Sequence, residues 1–261
     1  MIGFLIKKTF YDLWDNMFKV VVINLGFIAI TAIPIFLPGF VARFINSTAL
    51  GIALSALGIL ICSVYLAAIA VSIRSISDYS SFTFGEFFSG FKIAWPAGLV
   101  VGLLIFLLYT AATIILPFYL TLESPVGLFL AAVIFWATVF ALLSFQYYLT
   151  VYVRLGSKII ISFKKCMLIS LDNSGFSLFL FLHNTVVLLI SVIFFFLFPG
   201  PFGILLYTDE ALRLRLLKYD WLEANPDANR RKIPWDAILI EEREKTTTRT
   251  LRNFIFPWKD D

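Results

Sequence analysis

Two adjacent carboxylates, Asp209 and Glu210, stand in an otherwise apolar run, with Arg213 four residues after the first. Carboxylates at membrane depth are costly and face a protein interior or a water-filled cavity. Chemistry, if the chain has any, is to be sought there first. Asp209 is expected to pair with Arg213, at the i,i+4 spacing of a helical ion pair, or with another cation. Adjacent helical residues point about 100° apart, so Glu210 is expected to face the bundle interior or water. The single histidine, His183, precedes Asn184 in the apolar run just upstream. It could relay a proton to Asp209 or Glu210 across a hairpin. At ~1.5 Å rise per residue, however, His183 falls roughly 25 Å below Gly200 and Asp209 about 14 Å below it, a mismatch too large for regular helices. His183 is therefore read as an interfacial polar residue, level with Arg215 to Tyr219. Asn24 and Gln146, in two other apolar runs, are candidates to line the same polar interior.

The sequence holds no phosphate-binding glycine loop, His-Glu-x-x-His, paired Cys-x-x-Cys or Gly-x-Ser-x-Gly elbow. One histidine leaves little for a His-rich metal site or a serine triad. No catalytic residue, cofactor or metal site is expected, and the chain reads as a non-enzymatic protein. Cys62 and Cys166 fall in an expected span and an expected inner segment, so no disulfide is expected between them.

The elements that must position these residues are membrane helices. The chain is 60% hydrophobic with 29 phenylalanines, against about 45–50% apolar in soluble domains. Its net charge of +4 comes from short Lys and Arg clusters between apolar runs, the pattern of the positive-inside rule and not of a nucleic-acid partner. The fold class is all-α: a polytopic membrane protein of six spans in three hairpins, each preceded by an amphipathic interfacial helix. Spans are expected at about 20-37, 49-73, 97-120, 126-153, 176-198 and 201-217. Turns are expected at Pro38-Gly39 and at Pro199-Gly200-Pro201. The first span is read as an uncleaved membrane helix, not a signal peptide. Small residues from Gly51 to Gly58 suit close packing by the second span.

The amphipathic segments are Ile2 to Phe18, Phe84 to Ala94 and Ile159 to Leu171. The first carries Lys8 with Asp12 and Asp15 with Lys19 at i,i+4; the second is headed by a Thr83-x-x-Glu86 capping box. All three are expected to lie along the membrane surface, with the lipid bilayer as partner. Residues 1-219 form the membrane domain. The tail, 220-261, contains Pro234-Trp235, Pro257-Trp258 and a helix candidate from Asp236 to Lys245. With both termini inside, every Lys and Arg through Lys232 except Arg43 falls on the inner side, as the rule requires.

The stretch FYDLWDNMFKVVVINLGFIAITAIPIF, the elbows FFSGFKIAWPAG and FKKCMLIS, and the proline-containing last hairpin together resemble the YesL-like family of bacterial membrane proteins. The resemblance runs from Phe10 to about Tyr219. It implies a bacterial inner-membrane protein with no catalytic residues to carry over. Family members are commonly encoded beside carbohydrate ABC importers, which implies an accessory or regulatory role toward membrane transporter subunits. The alternative is a small solute transporter or channel using the polar interior around the last hairpin. Two departures stand out: the segment LPGFVARFINST after the first span, and the tail, which inherits no function from the resemblance.

Overall fold

The computed structural model describes residues 1–44, 47–156, 158–230 and 232–246, and within them every regular element is helical. Among the described residues, five helices are long and apolar enough to cross a membrane: Met17–Val41, Ala49–Ser77, Phe84–Leu120, Pro125–Leu155 and Ser174–Ile193. Large apolar side chains cover their outer surfaces, Phe36, Phe129 and Trp136 among them, as in a protein solvated by lipid.

The chain opens with α1 (Ile2–Asp15), separated at Asn16 from α2 (Met17–Phe44). The turn expected at Pro38-Gly39 is absent, because α2 runs on through both Pro34 and Pro38. Pro34 lies against Gly58 of α3 (Thr48–Ser77), and packing of this kind lets a membrane helix keep a proline. Of the glycines expected to support close packing in the second span, Gly58 does so and Gly51 has nothing within 4 Å.

Thr83 and Glu86 form the capping box that starts α4 (Phe84–Thr110). The amphipathic segment Phe84 to Ala94 is not a separate interfacial helix. It forms the first turns of α4, which continues through Pro96. The reason is close packing: Gly90, Gly98 and Gly102 lie against Ala68, Val64 and Leu60 of α3. A Cβ at Gly98 would sit 2.6 Å from the Val64 Cα, so only glycine lets the two backbones approach this far. A π-helical turn at Ala111–Ile115 joins α4 to α5 (Leu116–Leu120). Pro117 has no N–H for the carbonyl four residues back, and the helical ladder slips there.

Next come α6 (Pro125–Phe145) and α7 (Tyr148–Leu155), interrupted at Gln146 and Tyr147 and ended by Gly156 at φ 54°. After them stand α8 (Ile159–Asp172), α9 (Ser174–Ile193) and α10 (Gly200–Ala224). In the tail, the helix expected from Asp236 to Lys245 is two pieces, α11 (Trp235–Ile238) and α12 (Ile240–Lys245), on either side of buried Leu239. Pro257 and Trp258 lie outside the described residues.

The first and third amphipathic segments are distinct helices, and each buries polar side chains beside apolar ones, Leu5, Tyr11 and Leu13 on α1 and Ile169 on α8, while exposing other apolar side chains. On α1 the side chains of Ile2, Ile6 and Trp14 are exposed while Lys8 and Thr9 are buried. On α8 the exposed side chains include Ile160, Leu168 and Leu171, and Ser162, Cys166 and Ser170 are buried. Cys62 and Cys166 are free thiols. Burial pushes the Cys166 thiol up to about 12.

The last hairpin departs most from expectation. α9 stops at Ile193, well short of Phe198, and a turn follows with Phe195 and Phe196 at φ 51° and 60° and a cis bond between Phe198 and Pro199. Asn24, fully buried, closes that turn. Its Nδ2 donates to the carbonyls of Leu197 (3.0 Å) and Pro199 (2.8 Å), and its Oδ1 accepts from the Phe202 N–H (3.2 Å). The Gly200 N–H donates to Ser191 Oγ at 3.0 Å. Gly200, at φ 61°, packs so closely on the Asn24 amide that a Cβ would overlap it. Because Asn24 lies near the start of α2, about 20 residues or roughly 30 Å of that helix extend beyond the turn. α10 carries Asp209, Glu210, Arg213 and Arg215 and is not among the five long apolar helices, so the sixth span expected at 201-217 is not found.

Replacing Asn24 by Ala would leave the Leu197 carbonyl and the Phe202 N–H unpaired, the Pro199 carbonyl keeping the Gly203 N–H. The expected loss is on the order of 3 kcal/mol, read as a lower unfolding midpoint of the purified protein in detergent. An unchanged midpoint would show that the turn holds without Asn24.

Candidate functional site

Through its middle, α10 is the most enclosed helix of the protein. Phe202 and Leu206 are packed among Tyr65, Ile69 and Ile73 of α3. α1 runs antiparallel to it: Leu13 lies by Gly203, Lys8 by Glu210, and Met1 by Arg215. The two carboxylates therefore enter the interior from a helix walled on several sides. They meet different partners, as their angular separation requires.

Asp209 is 1% exposed and is held by Arg154, the last cation of α7, through Nε at 3.1 Å and through Nη2. The same guanidinium donates to Asp78 Oδ1 (2.8 Å) and Ser77 Oγ (3.0 Å) at the end of α3. Arg213, the expected i,i+4 partner of Asp209, does not reach it. It donates instead to the Ser77 carbonyl (2.5 Å) and to Glu242 Oε1 of α12 (2.8 Å), with its guanidinium 4.9 Å from the centre of the Tyr79 ring. A local helical pair is a weak attraction; a buried bidentate one is strong and geometrically selective. Arg154 supplies the latter.

Glu210 is 2% exposed, accepting from Lys8 Nζ at 3.1 Å and from the Thr9 hydroxyl. Lys8 also holds Asp12 and lies over the Tyr79 ring at 4.4 Å. Burial works against the Lys8 charge, yet the Glu210 and Asp12 carboxylates hold its pKa above the ordinary lysine value. Tyr79 closes the cluster, donating to Glu242 Oε2 at 2.9 Å, with Thr246 Oγ1 at 3.0 Å. Burial raises the Tyr79 phenol to about 12, so it remains a donor at neutral pH. One turn farther on, Arg215 lies over Phe176 (3.8 Å) and Trp235 (4.9 Å), and Lys218 donates to Asp172 and Asn173, both at 2.9 Å.

The other candidates fall elsewhere. His183 stacks on Tyr207 with ring centroids 3.6 Å apart and planes 11° apart. It is thus level with Tyr207, not with Arg215 to Tyr219. The depth estimate failed because residues after Ile193 turn instead of climbing, which brings Gly200 level with Ser191. His183 Nδ1 has no hydrogen-bond partner among the described residues. Asn184 donates to Thr208 Oγ1 at 3.0 Å, and Gln146 Nε2 to the carbonyls of Leu143 (2.9 Å) and Ser177 (3.0 Å). Gln146, Asn184 and Thr208 line a cavity of about 320 Å³ bounded by α4, α6, α9 and α10. Asn24 is not part of it, being taken up by the hairpin turn. The sequence candidates thus separate into three places: the charge cluster, the cavity and the turn.

Arg154, Tyr79, Thr9 and Glu242 were not singled out from sequence. Arg154 was legible only as the cation ending an apolar run. The Lys8–Asp12 pair was legible from its spacing, but its extension to Glu210 crosses 202 residues. No family model, curated protein or solved structure matches this chain.

Breaking a buried ion pair from one side costs about 3–5 kcal/mol, whereas replacing both partners by apolar groups is often neutral. Asp209→Leu and Arg154→Met are each expected to lower the unfolding midpoint, and the two together to lose less than the two single losses added together. Arg213→Met should leave Asp209 paired and cost less than Arg154→Met. Additive losses in the double variant would show that Arg154 and Asp209 act independently.

Proposed function

We propose that this chain is a non-enzymatic accessory or regulatory protein of a membrane transport system, such as a carbohydrate importer, in the bacterial inner membrane. One observation carries the reading. The carboxylates and cations that α10 brings inside are taken up by α1, α3, α7, α8 and the tail. Charges committed to joining elements suit a rigid platform better than a path for ions or solutes. The resemblance to YesL-like proteins points the same way. Mild-detergent purification of the tagged chain from its own cells is expected to recover membrane subunits of a transporter in comparable amount. Recovery of this chain without any transporter subunit would overturn the reading.

The topology that goes with it has four crossing helices, built on α2, α3, α4 with α5, and α6 with α7. The α9–α10 hairpin enters from the inner side and turns back at the level of Asn24. Both termini are then cytoplasmic, α8 lies along the inner surface with its apolar side in lipid, and α1 follows α10. Single cysteines placed in a Cys62→Ser, Cys166→Ala background test this arrangement. Ser124→Cys is expected to react with a membrane-impermeant maleimide added outside intact cells, and Leu197→Cys only after the membrane is opened. Labelling of Leu197→Cys from outside would favour a hairpin that crosses.

A second reading, a small solute transporter, is favoured by the cavity beside the hairpin. Flux in proteoliposomes separates it from the first.

A further inference from the structure

Tail residues 235–246 meet the membrane domain along one side. Trp235, Leu239, Glu242 and Thr246 make that contact, at the i, i+4, i+7 and i+11 spacing of a single helical face. The Trp235 ring covers the Arg215 guanidinium at 4.9 Å. Leu239 is fully buried in the same core as Leu5 and Leu214. Glu242 accepts from Arg213 at 2.8 Å and from Tyr79 at 2.9 Å, and Thr246 Oγ1 lies 3.0 Å from the Tyr79 hydroxyl. The other side of the segment is open, with Asp236, Ile240, Glu241, Arg243 and Glu244 exposed.

Two physical arguments make this segment a removable occupant. α11 and α12 have four and six residues, and isolated helices below ~12–15 residues are marginal in water. Their order therefore depends on the site beneath them. Elements with few buried contacts also open first. Within 235–246 only Leu239, Glu242 and Thr246 are buried, against most of α10 from Phe202 to Leu214. The site uncovered by such opening has a definite chemistry. Arg213 would keep one carboxylate, Asp78 at 3.7 Å, which already serves Arg154 at 2.8 Å and Arg74 at 3.7 Å. Arg215 would lose its Trp235 face, and the seat of Leu239 would expose apolar surface to water. Two guanidinium groups beside an apolar seat call for a carboxylate, an aliphatic and an aromatic group in register. We propose that the tail is an exchangeable cover over a docking site on α3 and α10. In its place the site accepts a helical segment of another protein, with an aromatic residue, an aliphatic residue four positions on and a carboxylate three further. The inference stands apart from the accessory role proposed above, since its test contains no transporter subunit.

The test uses the full chain in mild detergent and a fluorescent peptide of residues 232–246, with binding read by anisotropy. A tethered segment competes at a high effective concentration, so the native chain should bind the free peptide weakly. Leu239→Ser in the chain's own tail is expected to tighten binding of the unaltered peptide by roughly tenfold or more. Adding Arg213→Met should return binding to the native level or below. An alanine-based peptide with Trp, Leu and Glu at the same spacing should compete, and the same peptide with Gln for Glu should compete far less. Equal binding by the native and Leu239→Ser chains overturns the proposal, as does tight binding that survives Arg213→Met or equal competition by the Gln peptide. Should the variants not fold, hydrogen exchange on the native chain decides. The hydrogen-bonded amides of Leu239, Arg243 and Thr246 are expected to exchange at least about tenfold faster than those from Leu206 to Leu214. Equal protection would make the tail a fixed part of the core and overturn the proposal.

Discussion

An ionised side chain in a medium of low dielectric must find a counter-charge, and that requirement shapes this protein more than any other. α10 carries Asp209 and Glu210 where neither is more than 2% exposed. The cost of desolvating such groups is several kcal/mol each, and the cations brought to them offset it. Arg154 arrives because the α6–α7 helix breaks at Gln146 and Tyr147. Lys8 arrives because α1 folds back along α10. The ends of α3 and α12 complete the arrangement through Ser77, Asp78 and Glu242. Much of what looks irregular in the chain path delivers a partner to this helix.

The same requirement accounts for the polar side chains that α1 buries among Leu5, Tyr11 and Leu13. A helix that turns Lys8 and Thr9 inward and Ile2, Ile6 and Trp14 outward would be unstable in water, where the apolar surface it exposes is unfavourable. Beside lipid the outer side chains are well solvated, and the inner ones meet charges. The pattern on α8 repeats it with hydroxyls and a thiol in place of charges. In both helices the buried polar groups sit beside apolar core residues, Leu5 and Leu13 on α1 and Ile169 on α8.

Sequence reasoning reached what depends on local spacing. The helical class, the long apolar segments, the Thr83–Glu86 capping box and the Lys8–Asp12 pair follow from neighbours within four residues. It failed where distant backbone decides the outcome. Segment Phe84 to Ala94 has the spacing of a surface helix, but glycines on one side let it dock on α3. Asp209 has a spaced partner in Arg213, but a better-placed arginine comes from another helix. Asn24 was marked as polar and intramembrane, yet no local rule could show that it closes a turn made from residues near 200. The depth of His183 was misjudged because an uninterrupted apolar run, Phe194 to Phe198, was counted as helix when its backbone turns.

The pairing of α1 with α10 also bears on the order of assembly. The ribosome delivers Lys8 and Thr9 among the first residues, and Glu210 emerges only after the intervening helices have been made. Asn24 likewise precedes by far the turn it closes. Until the last hairpin is made, the inner face of α1 lacks Glu210, its partner on α10. The charge cluster and the hairpin turn are therefore completed only once α10 has been made. A chain interrupted before α10 would present that unmatched polar face to the cell's surveillance machinery.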